Sequence, residues 1–175
     1  KVFIIYFNYM TEFDRQYLSI LQDILANGYI ETSRDNHQVQ SLPGKTMQFD
    51  LEQGFPLLTL RKIPLKVFIA EMIWYVMGSN NPDDFVNKYT KIWLEFMNET
   101  ATMKRAPAYG HRWRYHFGRD QLQGLIDHLE QSPTSRHAVV VTWDPADDGL
   151  GKLGTPKYNI PCPYTFTVNI IGGRL

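Results

Sequence analysis

Two periods of apolar residues alternate along this chain. Residues 14–28, DRQYLSILQDILANG, set Tyr17, Leu18, Leu21, Ile24 and Leu25 on one face at helical spacing, and Gly28 is a natural stop. Residues 64–78 are apolar at nearly every position between Pro64, which suits a first helical position, and Gly78. That run predicts a helix buried on most sides. Residues 81–97 predict a third helix, with Asn81 as cap, Pro82 at its start and Asp83 and Asp84 in its first turn. Residues 118–131, GRDQLQGLIDHLEQ, predict a fourth, amphipathic one.

The strand period is shorter and less regular. KVFIIYFN at the start, HAVVVTW and YTFTVNI read as strands, and KTMQFDL and PLLTL are short candidates on either side of the turn EQGFP. The polar stretch ETSRDNHQVQSLPG reads as a loop, and APAYGHRWRYH as an aromatic and basic connection. Helices interspersed among strands imply an α/β or α+β fold, with a mixed sheet packed against a buried central helix.

Composition narrows the class. At 175 residues the chain suits one compact domain, 1–175, and 43% hydrophobic with 21% charged residues is the profile of a globular protein. Eighteen basic residues balance eighteen acidic ones, so no global field favours nucleic acid or a membrane surface. A single cysteine excludes an internal disulfide framework and suits a reducing cytoplasm. The longest apolar stretch is interrupted by Glu71 and is too short to span a bilayer, and the start lacks the features of a secretory leader.

Three groups of residues can carry chemistry. Cys162 sits between Pro161 and Pro163, just before an alternating run. A lone cysteine is often a small buried hydrophobe, whereas a thiol on a braced turn at a strand entrance is placed to react. A nucleophilic role requires a cation or base nearby, because the thiolate is the reactive form. SRH at 135–137 and HRWR at 111–114 are candidate sources.

Glu71 is the only charged residue between Lys66 and Asp83. A carboxylate on so apolar a helix either pairs with a structural group or is poised for proton transfer in a dry site. Arg34, Arg112, Arg114 and Arg136 are each either solvated surface charges or forks for a phosphate. Trp74, Trp93, Trp113, Trp143 and Tyr109 are core or wall residues, and an aromatic wall can stack a flat heterocycle. No Gly-rich phosphate loop and no clustered His/Cys ligand set is present in the sequence, which disfavours a P-loop nucleotidase and a structural zinc site.

Taken in order, FDLEQGFPLLTLRKIPLKVFIAEMIWYVMGSNN, IW, AYGHRWR, DQL, SPTSRHAVVVTWDP and IPCPYTFTVNIIGGRL resemble thymidylate synthase over residues 17–175. The resemblance implies a two-layer fold, a homodimer joined through the sheet face, and one-carbon transfer from 5,10-methylenetetrahydrofolate to C5 of a pyrimidine nucleotide, with no metal. It matches Cys162 to the nucleophile that adds to C6, Glu71 to the proton-relaying carboxyl and Tyr109 to the tyrosine near the nucleophile. Arg34 and Arg136 match phosphate-binding arginines, the second reaching across the dimer interface. Ile92 and Trp93 match the folate-side wall.

Several positions depart from the family's pattern. Pro163 follows the cysteine where histidine is usual, His137 stands for the second of two arginines, and SRDNHQ keeps Arg34 alone. Pro64 takes a place where histidine is common, and Phe96 stands where a second tryptophan is often found. The resemblance also implies that the C-terminal part of the family fold, which distinguishes dUMP from dCMP, is absent from these 175 residues. The expected activity is conversion of dUMP to dTMP. The alternatives are a dUMP or dCMP hydroxymethylase and a non-catalytic nucleotide-binding relative.

Overall fold

A computed structural model describes residues 10–33, 36–96, 109–146, 148 and 161–175, with the side chains of 95 and 96 left aside. The predicted first strand therefore lies outside the described residues. Helices alternate with two small sheets, compatible with an α/β class. Chain contacts group into two compact units, Lys1–Ile63 and Pro64–Leu175, described in turn.

In the first unit, helix α1 spans Glu12–Asn27. It starts with a capping box: the Asp14 N–H donates to Thr11 Oγ1 and the Thr11 N–H to Asp14 Oδ2, both at 3.1 Å. Asp14 is fully buried, and its carboxylate also accepts from the Thr59 N–H at 2.8 Å and the Thr59 hydroxyl at 2.6 Å. One side chain thus starts the helix and fastens it to a segment far along the chain. Burial alone would raise the pKa of Asp14, but the Thr59 and Thr11 hydrogen bonds outweigh it and hold the group below the usual carboxylate range.

A depressed folded-state pKa stabilises above the unfolded value of about 3.9, and that stabilisation is lost as pH falls through the folded value. Asp14→Asn is expected to cost about 2 kcal/mol at neutral pH. It should also flatten the acid limb of the stability curve below about pH 4. Urea titrations at several pH values measure both; an unchanged acid limb would remove this role.

Gly28 ends α1 as the sequence predicts, but not by left-handed backbone, since its φ is −74°. A Cβ there would lie 2.5 Å from the Ile24 carbonyl oxygen and 2.8 Å from Gln40 Cγ. The glycine is needed for close approach to the next element. That element is an antiparallel hairpin, β1 (Tyr29–Thr32) paired with β2 (Gln38–Ser41), with Tyr29 opposite Ser41. The sequence reading took its second half for a loop, because polar Gln38, Gln40 and Ser41 hide the period; Asn36, at φ 60°, carries the turn.

The strand candidates at 45–51 and 56–60 form no described strand. Asp50 instead accepts from the Glu52 N–H at 3.0 Å and caps a single 3₁₀ turn, Leu51–Gln53, which Gly54 ends at φ 114°.

The second unit is built around helix α2, Leu65–Met77. Gly78 ends it in the left-handed conformation, φ 72°, as the sequence predicts. Burial is one-sided, however. Ala70, Trp74 and Tyr75 are buried, while Leu65, Ile69, Ile73 and Val76 are exposed. The expectation of a helix buried on most sides is therefore not met among the described residues, because the described chain covers only the Ala70–Trp74–Tyr75 side.

The third predicted helix is instead three 3₁₀ turns, Pro82–Asp84, Val86–Lys88 and Ile92–Phe96. Asn81 caps the first as expected, but Phe85, at φ −152° and ψ −57°, breaks the helical path. The break lets Val86, Asn87 and Trp93 turn inward together.

Tyr109–His111 form a short helix, α3, that continues into a π-helical turn, Arg112–His116, where the sequence reading expected only a connection. Helix α4, Gln121–Gln131, is capped by Asp120, which accepts from the Gln123 N–H at 3.0 Å. Gln121 then pairs its amide with both backbone groups of Val141 at 2.9 Å and donates to the Arg112 carbonyl at 3.0 Å. The DQL motif is thus a cap followed by a clamp on the sheet edge. Strands β3 (Val139–Val141) and β4 (Thr165–Thr167) pair antiparallel, with Val140 opposite Phe166.

Trp74, Tyr75, Val86 and Trp93 form the core of this unit, flanked by Phe85, Tyr109 and Trp113. Trp113 ties the core to the ladder by donating to Thr142 Oγ1 at 2.8 Å and setting its edge against Phe166. No described helix is long and apolar enough to cross a membrane.

Candidate active site

Cys162 lies in a bend three residues before β4, with Pro161 buried behind it and the thiol side chain exposed. The bend is anchored just beyond the thiol. The Thr142 and Trp143 N–H groups both donate to the Tyr164 carbonyl, at 2.9 and 3.1 Å, and the Thr165 hydroxyl donates to the Val140 carbonyl at 3.0 Å. Proline on each side and these three hydrogen bonds hold an accessible thiol at the mouth of the ladder.

Tyr109, at the start of α3, hydrogen-bonds the Cys162 thiol with its hydroxyl and also meets the Cys162 backbone. Burial, reinforced by the neighbouring thiol, pushes the phenol up to about 12. At neutral pH the sulfur therefore faces a neutral O–H, able to hand over or hold a proton.

Glu71 is half-buried on α2 and accepts a hydrogen bond from Trp93 Nε1 at 2.6 Å. The indole fixes the carboxylate, so the acid in the apolar helix has a structural partner and keeps one further oxygen. The Trp93 ring meets Tyr109 edge-on at 6.0 Å between centroids. Glu71, Trp93, Tyr109 and Cys162 thus belong to one cluster, drawn from four segments that are distant in sequence.

The remaining expected residues are placed differently. Ile92 is exposed at 51% beside the buried Trp93, leaving an apolar flank next to the indole. An apolar wall of this kind can stack a flat heterocycle. Arg34 lies outside the described residues. Arg136 is exposed on the turn before β3, and no described contact ties it to the cluster. Its neighbour His137 stacks on His128 at 6.3 Å, and His128 Nε2 is 2.5 Å from Ser135 Oγ.

The HRWR arginines, considered above as cations for the thiol, are engaged elsewhere. Buried Arg112 pairs with Asp148 at 3.3 Å and Asp144 at 3.6 Å. His116 adds a 2.6 Å contact to Asp144, and this hydrogen bond keeps that carboxyl low. Arg114 pairs with Asp120 at 2.6 Å.

Sequence reasoning missed Tyr75, which it passed over as one more apolar helix position. The available signal was its spacing, one turn after Glu71 and so on the same helix face.

An exposed thiol, a neutral phenol and an oriented carboxylate beside an aromatic wall are groups that can serve as a nucleophile and as proton carriers. A family model described as thymidylate synthase matches residues 15–175, nearly the whole length. This is a family of enzymes of the methyltransferase type that use methylenetetrahydrofolate and a pyrimidine nucleotide. The chain belongs to the thymidylate synthase family.

Proposed function

We propose that this chain transfers a one-carbon unit from 5,10-methylenetetrahydrofolate to C5 of a pyrimidine deoxynucleotide monophosphate, converting dUMP to dTMP. The observation that supports it most is the Tyr109 hydroxyl on the Cys162 thiol, in one cluster with the Trp93-held Glu71.

C5 of uracil is a poor nucleophile until C6 is attacked. The Cys162 sulfur forms a bond to C6, and the displaced electron pair gives an enolate whose C5 attacks the one-carbon unit. Loss of the C5 proton, cleavage of the bond between the transferred carbon and the folate nitrogen, and departure of the sulfur from C6 restore the ring. The folate supplies that carbon and, in thymidylate synthesis, the hydride that completes the methyl group. Tyr109 holds the proton beside the sulfur, and Glu71 orders water and relays protons at the base. Arg34 and Arg136 take the phosphate, and Ile92 and Trp93 form the folate wall.

Working unit and architecture follow the same reading: a two-layer fold with a mixed sheet, paired as a homodimer. Exposed Val139 and Val141, on either side of fully buried Val140, support a partner on that sheet face. A second reading, a dUMP or dCMP hydroxymethylase, is favoured by Pro163 after the nucleophile, since the groups beside it govern whether water or hydride completes the reaction.

Glu71→Gln keeps an oxygen for the Trp93 N–H while removing the charge. It is expected to lower kcat roughly 100-fold and leave nucleotide affinity within about threefold. Steady-state kinetics with a binding titration separates the two; an unchanged kcat removes Glu71 from proton transfer.

A further inference from the structure

Thr142 follows directly on β3 and is fully buried, a polar side chain in line with the apolar, buried Ala138 and Val140 of the same face. A buried hydroxyl needs a partner, and this one accepts from Trp113 Nε1 at 2.8 Å. The Thr142 N–H donates at 2.9 Å to the carbonyl of Tyr164, two residues beyond Cys162. One residue is thus bonded by its side chain to the π-helical turn that continues from Tyr109, and by its backbone to the bend that carries the thiol. We propose that Thr142 is a positioning residue of the active site, fixing the Cys162 bend against the helix of Tyr109.

The indole that Thr142 holds spans the same gap. Trp113 lies about one turn after Tyr109. Its ring centroid is 5.6 Å from Phe166 on β4 and 6.0 Å from Tyr75, which in turn lies 5.2 Å from Tyr109. The fold does not hang on this one bond. Gln121 clamps Val141 on one side of Thr142, and Arg112 and His116 hold Asp144 on the other. Loss of the hydroxyl therefore leaves the segment attached but strips the indole N–H of its acceptor. A ring that turns to find another moves against Phe166 and Tyr75. The displacement falls between Cys162 and Tyr109, where a shift of about 1 Å can slow a reaction about 100-fold.

The test compares Thr142→Val, which keeps the shape and deletes the acceptor, with Thr142→Ser, which keeps the acceptor. Cys162 is the only cysteine of the 175 residues and is exposed, so a trifluoromethyl thiol reagent reports on its surroundings in the folded protein. Wild type and Thr142→Ser are expected to give the same fluorine resonance, and Thr142→Val a shifted or split one. A wild-type resonance in Thr142→Val overturns the proposal. So does a serine resonance displaced as far as the valine one, since that assigns the effect to packing.

Should Thr142→Val fail to fold, β-(3-benzothienyl)alanine at position 113 keeps the bicyclic ring and removes the N–H. It must displace the same resonance, and an unmoved one again overturns the idea. The kinetic arm rests on the proposed function: kcat is expected to fall about tenfold in Thr142→Val, with KM within about threefold, and to return in Thr142→Ser. An unchanged kcat beside a displaced resonance removes Thr142 from the reaction. Absence of turnover in the wild type defeats the functional reading, while the fluorine resonance still decides whether Thr142 places the thiol.

Discussion

Cys162→Ser is expected to eliminate covalent attachment of the nucleotide and to reduce turnover by at least about 1,000-fold. Serine is close in size, the side chain is exposed, and the bend is held by backbone bonds to Tyr164, so the substitution should leave the fold intact. What changes is the nucleophile. A hydroxyl is far less acidic than a thiol and has only the neutral Tyr109 phenol as its described hydrogen-bonding neighbour, which is a poor base at neutral pH. Nucleotide affinity should change by less than about tenfold, since the binding contacts assigned to the phosphate are elsewhere. Mass spectrometry of the intact protein with bound nucleotide, beside a kinetic assay, separates the outcomes. Full activity in the serine variant would make Cys162 a packing residue.

Gly110→Ala is expected to be the most destabilising small substitution in the second unit. A Cβ at position 110 would fall 1.9 Å from the Tyr75 carbonyl oxygen and 2.5 Å from its Cα and carbonyl carbon, all backbone atoms that cannot swing aside. Helices α2 and α3 would have to separate by more than an ångström, and the residues flanking that crossing are Tyr75 and Tyr109 themselves. Overpacking at such a point costs about 3 kcal/mol. Gly118→Ala is the control: its φ of 71° imposes backbone strain, but nothing lies within 4 Å of the added Cβ, and the cost should be about 1 kcal/mol. Urea unfolding followed by tryptophan fluorescence compares the two. Equal midpoints for both variants would mean that the helix crossing tolerates adjustment and does not fix the site.

Much of the site was legible in the sequence, for reasons that differ from residue to residue. Cys162 stood out because prolines bracket it, and the structure places it on an anchored, accessible bend. Glu71 stood out as an acid in an apolar helix, and the structure gives it a partner in the Trp93 indole. Element ends marked by Asn81 and Gly78 were readable because caps act locally, whereas the Asp120 cap was not singled out. Asp14 was not, because its partner Thr59 is 45 positions away and no local pattern announces that pairing.

Elements were misread where local preference and tertiary demand diverged. Residues 81–97 have the cap and the acidic first turn of a helix, yet packing Val86, Asn87 and Trp93 inward required a break at Phe85. The hairpin strand at 38–41 is polar on both faces, which erases the alternation that identifies a strand. Tyr75 was invisible for the opposite reason: in a run where almost everything is apolar, one aromatic residue carries no contrast. Its significance rests on Trp93 and Tyr109 arriving from other parts of the chain.

The most direct measurement supplies the full-length protein with methylenetetrahydrofolate and either dUMP or dCMP, and identifies the nucleotide product by mass. The account predicts dTMP from dUMP, with dihydrofolate released, in wild type and not in Cys162→Ser. A hydroxymethyl nucleotide with tetrahydrofolate released would replace the first reading by the second while keeping C5 transfer. Folded, dimeric protein that leaves both nucleotides unchanged would contradict the account.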